Sequence, residues 1–364
     1  MRTPDSSQAS PLQKESNSER VLSEPSATIS RFDDERTPLI KRFQIFVHHH
    51  STFVPFIIFL ASLLSFGIAD GATFLSLFNI SLVIQQVTII ATAGIAQTLI
   101  ILTAGIDLSV GAILVLSHMV MARLAVQNGL PVEVALAAGL AVGTSCGLLN
   151  GCLVTQFRLP PFIATLGTWS IFGALNIWYS HGETIAAGQI ASSAPLLQIL
   201  GKALRVYGAS ITYGFVMLVF VYCAVWHLLN KTALGRHIYA TGDNNEAARL
   251  AGINTKRTLL VVYTIAGCIC GIGAWILIGR VGAASPLAGG TLNLDSITAV
   301  VIGGTSLFGG RGSITGTLIG ALIVGVFRNG LALGGADVVW QEFSVGVLIL
   351  VAVAIDQWIR RVAK

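Results

Sequence analysis

ISLVIQQVTIIATAGIAQTLIILT, residues 80–103, runs for 24 positions without a charged side chain. A bilayer core of about 30 Å is crossed by about 20 apolar helical residues, so this stretch reads as a membrane span. Working outward, runs of the same kind recur at 53–69, 109–126, 132–155, 161–179, 212–229, 258–279, 313–333 and 343–359, each bounded by charges or turn residues. A tenth candidate, Asp295 to Phe308, has 14 residues and reaches only about 21 Å at 1.5 Å per residue. It either crosses or is a half-helix packed inside the protein. The expected fold class is an all-α membrane protein, a polytopic bundle of about ten transmembrane helices with short or broken helices in the core.

Composition points the same way. The chain has 364 residues, 54% of them apolar and 11% charged, whereas a water-soluble domain carries about 25% charged residues. Met1 to Arg42 holds 7 of the 22 Lys and Arg and 7 of the 17 Asp and Glu, leaving 25 charged residues for the other 322. This serine-rich stretch, 1–42, has too few apolar residues to fold and is expected to be a disordered cytoplasmic tail. The transmembrane domain is expected over 43–364. The sequence pI of about 9.1 is no nucleic-acid signal, because the basic residues are scattered between apolar runs rather than clustered. No secretory signal peptide precedes the first run, which reads as a signal anchor. His48 to His50 form a short tract that reads as a juxtamembrane surface rather than a metal site. Cys146, Cys152, Cys223, Cys268 and Cys270 all lie in apolar segments and imply neither a disulfide framework nor a zinc site.

Basic residues set the expected orientation. With the N-terminus inside, 17 of the 22 fall on the inner face, so both termini are expected in the cytoplasm and the number of crossings to be even. Glycines recur every fourth position at Gly139, Gly143, Gly147 and Gly151, and again at Gly312, Gly316 and Gly320. Each series makes a smooth strip along which another helix backbone approaches closely.

A membrane pathway requires polar or discontinuous helices, and two breaks stand out. The first is Thr103 to Ser109, where Gly105, Asp107 and Ser109 interrupt a long apolar stretch. Asp107 and Ser109 either cap the following helix or stand beside the pathway. The second is GGTSLFGGRG, Gly303 to Gly312, too glycine-rich for regular helix, and Asp295 with Ser296 is expected to cap the segment before it. Gln85, Gln86 and Gln97 in the second span, and Thr165, Thr168, Trp169 and Asn176 in the fifth, are neutral donors and acceptors with one aromatic plate. They suit an uncharged polyhydroxylated solute better than an ion, unless helix-to-helix hydrogen bonds occupy them. His118 and His227 have no acidic partner in sequence, and membrane carboxylates are few, which speaks against an ion-coupled carrier.

KTALGRHIYATGDNNEAARLAGINTK, residues 231–256, is the longest polar stretch between spans and is expected in the cytoplasm. Glu246 to Leu250 reads as a short surface helix with Asp243 or Asn244 as N-cap and Gly252 as its stop.

GDNNEAARLAGI, Gly242 to Ile253, resembles the ATPase-contacting loop in permease subunits of bacterial ATP-binding-cassette importers of ribose, xylose, arabinose and fructose. LTAGIDLSVGA (Leu102 to Ala112), LPPFIATLGT (Leu159 to Thr168) and AVVIGGTSLFGGRGSITGTLIGALIVGV (Ala299 to Val326) are similar to the same family, and the match runs from about Ile80 to the end. Among its members the fructose import permeases are the most similar. The resemblance implies a permease subunit of a bacterial inner membrane that is no enzyme and binds no cofactor. Two copies sit on a pair of cytoplasmic ATPases, which use the ATP, and receive sugar from a periplasmic binding protein. It also implies that the loop over 230–257 couples the chain to the ATPase, with Gly242, Asn244, Glu246, Ala247, Ala248, Arg249, Leu250 and Gly252 at the contact. No Gly-x-x-x-x-Gly-Lys-Ser/Thr loop occurs in the chain, and no Gly-x-Ser-x-Gly or His-Glu-x-x-His. A related permease for nucleosides or branched-chain amino acids is the alternative within the class. The tail before Phe43 is not explained by the family, and its deletion is expected to leave transport largely intact.

Overall fold

The computed structural model describes residues 52–206 and 209–362. The expectations for the tail at 1–42 and for His48 to His50 lie outside the described residues. In chain order the elements are α1 (Phe53–Ala69), α2 (Gly71–Phe74), α3 (Leu77–Leu102), α4 (Val110–Val126), α5 (Val132–Thr155), α6 (Pro161–Ser180) and α7 (Ala187–Ser193). A 3-10 turn (Pro195–Gly201) leads into a hairpin of β1 (Ala203–Val206) and β2 (Ala209–Thr212), antiparallel with Ala203 opposite Thr212. Then follow α8 (Tyr213–Lys231), α9 (Ala233–Asp243), α10 (Asn245–Leu250), α11 (Thr255–Val281), α12 (Leu292–Ile302), α13 (Ile314–Leu333) and α14 (Val338–Val362). Five of these, α3, α5, α8, α11 and α13, are long and apolar enough to cross a membrane. Each of the nine longer runs forms a helix, the tenth is helical only as far as Ile302, and the fold is the polytopic all-α bundle the hydropathy requires.

α3 is the axis of the bundle. Ser76 starts it, its hydroxyl accepting from Asn79 N at 3.2 Å, and every residue from Val87 to Leu102 is buried. A helix stretch apolar on all sides belongs inside, and from Val87 to Leu102 α3 is wrapped by its neighbours, while Leu77, Phe78, Ile80 and Leu82 in its first turns are exposed.

The glycine strips seat a neighbouring helix at Gly143, Gly147, Gly316 and Gly320, whereas Gly139 faces Met121 of α4 and Gly312, at φ +147°, lies in the loop before α13 and belongs to no helix strip. A methyl added at Gly147 would overlap the carbonyl of Tyr263, and one at Gly143 would lie 2.7 Å from the carbonyl of Gly267. The strip on α5 therefore lets α11 in at backbone distance, and Gly267 on α11 returns the fit. On α13, Gly316 and Gly320 press on the carbonyls of Gly303 and Ala299, so the second strip seats α12.

One expectation is corrected and one alternative is decided. α12 begins at Leu292 with Thr291 in the cap position, so Asp295 and Ser296 lie inside its first turns instead of capping it. Asp295 points back, accepting from Thr291 Oγ1 at 3.1 Å. The helix stops after 11 residues, about 16 Å, so the segment is a half-helix. Its residues Asp295, Ser296 and Thr298 to Ile302 are buried.

Candidate functional site

The first break is a short non-helical passage from Thr103 to Ser109, with Ala104 at φ +61°. Its backbone polar groups lie between apolar spans, and in an apolar environment an unpaired group costs several kcal/mol. Side chains from two helices and from the break itself pair them. Thr165 Oγ1 of α6 accepts from Leu108 N at 3.2 Å and donates toward Ile106 O at 3.1 Å. Gln97 of α3, with its carboxamide in the orientation that satisfies both atoms, donates to Asp107 O at 3.1 Å and accepts from Asp107 N at 3.3 Å. The Asp107 carboxylate accepts from both N and Oγ of Ser109, each at 2.6 Å, at the start of α4. Asn150 of α5 donates to Ser109 Oγ at 2.8 Å and lies 3.4 Å from the second Asp107 oxygen. Ser109 stands in the cap position of α4 without a side-chain cap bond, so Asp107 fixes Ser109 itself rather than pairing the free amides of the first turn. Gln97, Ser109, Asn150 and Thr165 are fully enclosed, and Asp107 nearly so.

The second break follows α12. Gly304, Gly309, Gly310 and Gly312 all have φ between +71° and +147°, a region a side chain rarely enters. That is why the stretch is spelled in glycine. Ser306 N donates to Arg311 O at 2.9 Å and Gly309 N to Ser306 O at 3.0 Å, closing the loop on itself. Gly310 N donates to Leu102 O at 3.0 Å, so the two breaks are joined.

The predicted pathway residues separate into groups. Gln97, Asp107, Ser109 and Thr165 hold the first break, and Thr168, also buried, leans on Thr165 O at 3.3 Å. Trp169 and Asn176 are elsewhere on α6, lining a cleft of about 300 Å³ with Ser170, Gly173, Ala174, Ile177 and Pro286. Trp169 is 46% exposed there. Asn176 Nδ2 donates to Pro286 O at 2.8 Å, and its buried oxygen is unpartnered among the described residues. Gln85 and Gln86 are half-buried on the first half of α3 and join neither group.

The loop between α8 and α11 folds as its residues dictate. Thr232 caps α9, accepting from Gly235 N. Asn244 caps α10, its oxygen 3.0 Å from both Glu246 N and Ala247 N, and Gly252 ends it at φ +86°. Glu246 in the first turn and Arg249 in the last suit the helix dipole. Asn244, Glu246, Ala247, Arg249, Leu250 and Gly252 are exposed, Leu250 by 82%, while Gly242 and Ala248 face inward and are buried. Burial raises the Tyr239 phenol above its ordinary pKa, and its hydroxyl donates to Gly312 O at 3.0 Å.

Two groups escaped the sequence reading. Asn150 was visible only as a lone carboxamide inside a glycine strip. Arg328 of α13 reaches Asp295 of α12 at 2.7 Å and Glu342 of α14 at 2.9 Å. Their signal was two opposite charges on the helices flanking the second break.

A helix bundle opened at two breaks whose backbone is satisfied from within, and carrying a rigid exposed helix outside its apolar spans, is built as a membrane permease subunit. The chain belongs to the family described as branched-chain amino acid transport system / permease component, which matches residues 79–353. It is 51% identical to the fructose import permease protein FrcC of Rhizobium meliloti, over 95% of this chain and 96% of that one. It is 40% identical to the ribose import permease protein RbsC of Bacillus subtilis, over 78% and 86%. With the D-allose transport system permease protein AlsC of Escherichia coli the identity is 37%, over 88% and 94%. The resemblance read from the four motifs is borne out: this is a multi-pass permease subunit of the ATP-binding-cassette monosaccharide-importer kind.

Proposed function

We propose that the chain is the transmembrane permease of a binding-protein-dependent, ATP-driven fructose importer of a bacterial inner membrane, moving sugar by alternating access. The observation that carries the sugar is the 51% identity to a fructose import permease along nearly the whole of both chains, against 40% for a ribose import permease. The chain works as a homodimer with both termini in the cytoplasm. It binds no cofactor; a cytoplasmic ATPase uses the ATP, and a periplasmic sugar-binding protein delivers the solute to the loops over 179–211. The exposed face of α10 meets the ATPase. The cleft beside Trp169 and Asn176 offers the solute an aromatic plate, chemistry that suits the C–H faces of a sugar. Specificity lies largely in the binding protein, because a ligand shifts the equilibrium only through its differential affinity for the two states.

The test is uptake of radiolabelled fructose in cells lacking their own fructose systems, with and without the partner ATPase and binding protein, and with ribose, xylose and leucine as competitors. Uptake that needs all three components and resists the competitors is expected. Entry with this chain alone would end the ATP-driven reading, and entry of ribose or leucine in place of fructose would end the substrate assignment only.

A further inference from the structure

We propose, resting on the reading above, that Gly242 and Tyr239 of α9 are positioning residues forming the joint through which movement of α10 reaches both helix breaks at once. α9 and α10 are separated by Asn244 alone, and Asn244 N donates to Ala240 O at 3.2 Å while its side chain caps α10. The two short helices therefore move as one bent lever. At its inner end the lever meets the bundle backbone to backbone. A methyl on Gly242 would overlap Leu102 O and lie 2.7 Å from Gly310 N, one on Gly309 would lie 2.7 Å from both Ala104 N and Gly242 O, and one on Gly310 would lie 2.7 Å from Asp243 Cα.

Three strands of backbone, at Leu102 to Ala104, Gly242 to Asp243 and Gly309 to Gly310, thus touch with no side chain between them. Side chains absorb a small displacement by changing rotamer, whereas backbones already at van der Waals distance pass it on. One hydrogen bond lets the joint pull as well as push, Tyr239 Oη to Gly312 O at 3.0 Å, and a second, Gly310 N to Leu102 O at 3.0 Å, ties the two breaks so that they move together. The points gripped are the places where the intrahelical ladders of α3 and α12 have stopped, so they are the places where those helices are able to pivot. The exposed face of α10 accounts for docking to a partner; it does not require Gly242 to be glycine, and the joint does.

The experiment uses the full complex, permease with ATPase and binding protein, in proteoliposomes, measuring sugar moved per ATP hydrolysed. A second readout is the maleimide labelling rate of a cysteine placed by Phe308→Cys, a position 61% exposed, with the exposed native thiol removed by Cys223→Ser. Labelling is compared with and without trapped nucleotide. Tyr239→Phe deletes one hydrogen bond of the joint, and one such bond is worth about a three- to tenfold change in an equilibrium. The expected result is an assembled Tyr239→Phe complex that hydrolyses ATP but moves about three- to tenfold less sugar per ATP, and in which the response of the labelling rate to nucleotide falls by a similar factor.

Gly242→Ala, where it assembles, is expected to abolish both, and where it does not assemble Tyr239→Phe decides. A wild-type ratio in Tyr239→Phe or in assembled Gly242→Ala overturns the joint, and so does a lowered ratio with the labelling response intact. A wild-type complex whose uptake ignores ATP removes the importer reading and the joint with it, whereas coupled wild type with coupled variants removes the joint alone.

Discussion

At the scale of single residues, the polar side chains of the first break are engaged in holding backbone. Ile106 O, Asp107 N and O, Leu108 N and Ser109 N each have a partner supplied by Gln97, Thr165 or Asp107. Thr165→Val keeps the shape of the side chain but strands Leu108 N and Ile106 O. Each buried unsatisfied group costs about 1–3 kcal/mol, so the expected loss for the two is about 2–6 kcal/mol. Thr165→Ser retains the hydroxyl and is expected to stay close to wild type. Thermal unfolding of the detergent-purified chain separates the two, and equal midpoints for Val and Ser would show that Thr165 does not support the break.

At the scale of elements, close packing of bare backbone and one charged cluster position the half-helix α12. Gly316 and Gly320 let α13 lie against it, and Arg328 ties α12 and α14 to α13 through Asp295 and Glu342. Arg328 and Asp295 side chains are 11% and 7% exposed. Removing one member of a buried pair leaves an uncompensated charge, so Arg328→Ala is expected to cost about 3–5 kcal/mol. Arg328→Lys is expected to recover little, because an ammonium on a flexible stem does not hold two carboxylates in the guanidinium's fixed fork. Unfolding midpoints of the two variants check this. The double variant Asp295→Asn with Arg328→Ala is expected to be less damaged than Arg328→Ala alone.

At the scale of the whole molecule, the proposed function rests on a partner ATPase that meets the exposed face of α10. The Glu246 and Arg249 side chains are on the exposed side of α10 and make no hydrogen bond or ion pair among the described residues. Glu246→Lys and Arg249→Glu are therefore expected to leave the purified chain as stable as wild type while reducing ATP-driven sugar uptake about tenfold, the effect of one disrupted charge pair at an interface. Stability by thermal unfolding and uptake in the reconstituted complex are the two measurements. Unchanged uptake in both variants would remove α10 as the docking element.

The sequence by itself determined the spans, the two breaks and the capped surface helix, because each is written in neighbouring residues. Hydropathy over about 20 positions marks a crossing, glycine marks backbone at positive φ, and Asn244 ahead of Glu246 marks a helix start. Gln97, Asp107 and Thr165 were legible as polar residues in apolar surroundings, but their occupation was not. Whether a threonine faces a solute or a carbonyl 59 residues away depends on which helix lies beside it. The same holds for Arg328, whose carboxylate partners stand 33 and 14 positions off, and for Gly242, which sits in a polar, surface-directed loop yet is buried against Leu102 and Gly310. Only the tertiary structure decided these, because a side chain's partner is set by the packing of distant helices and not by the local chain.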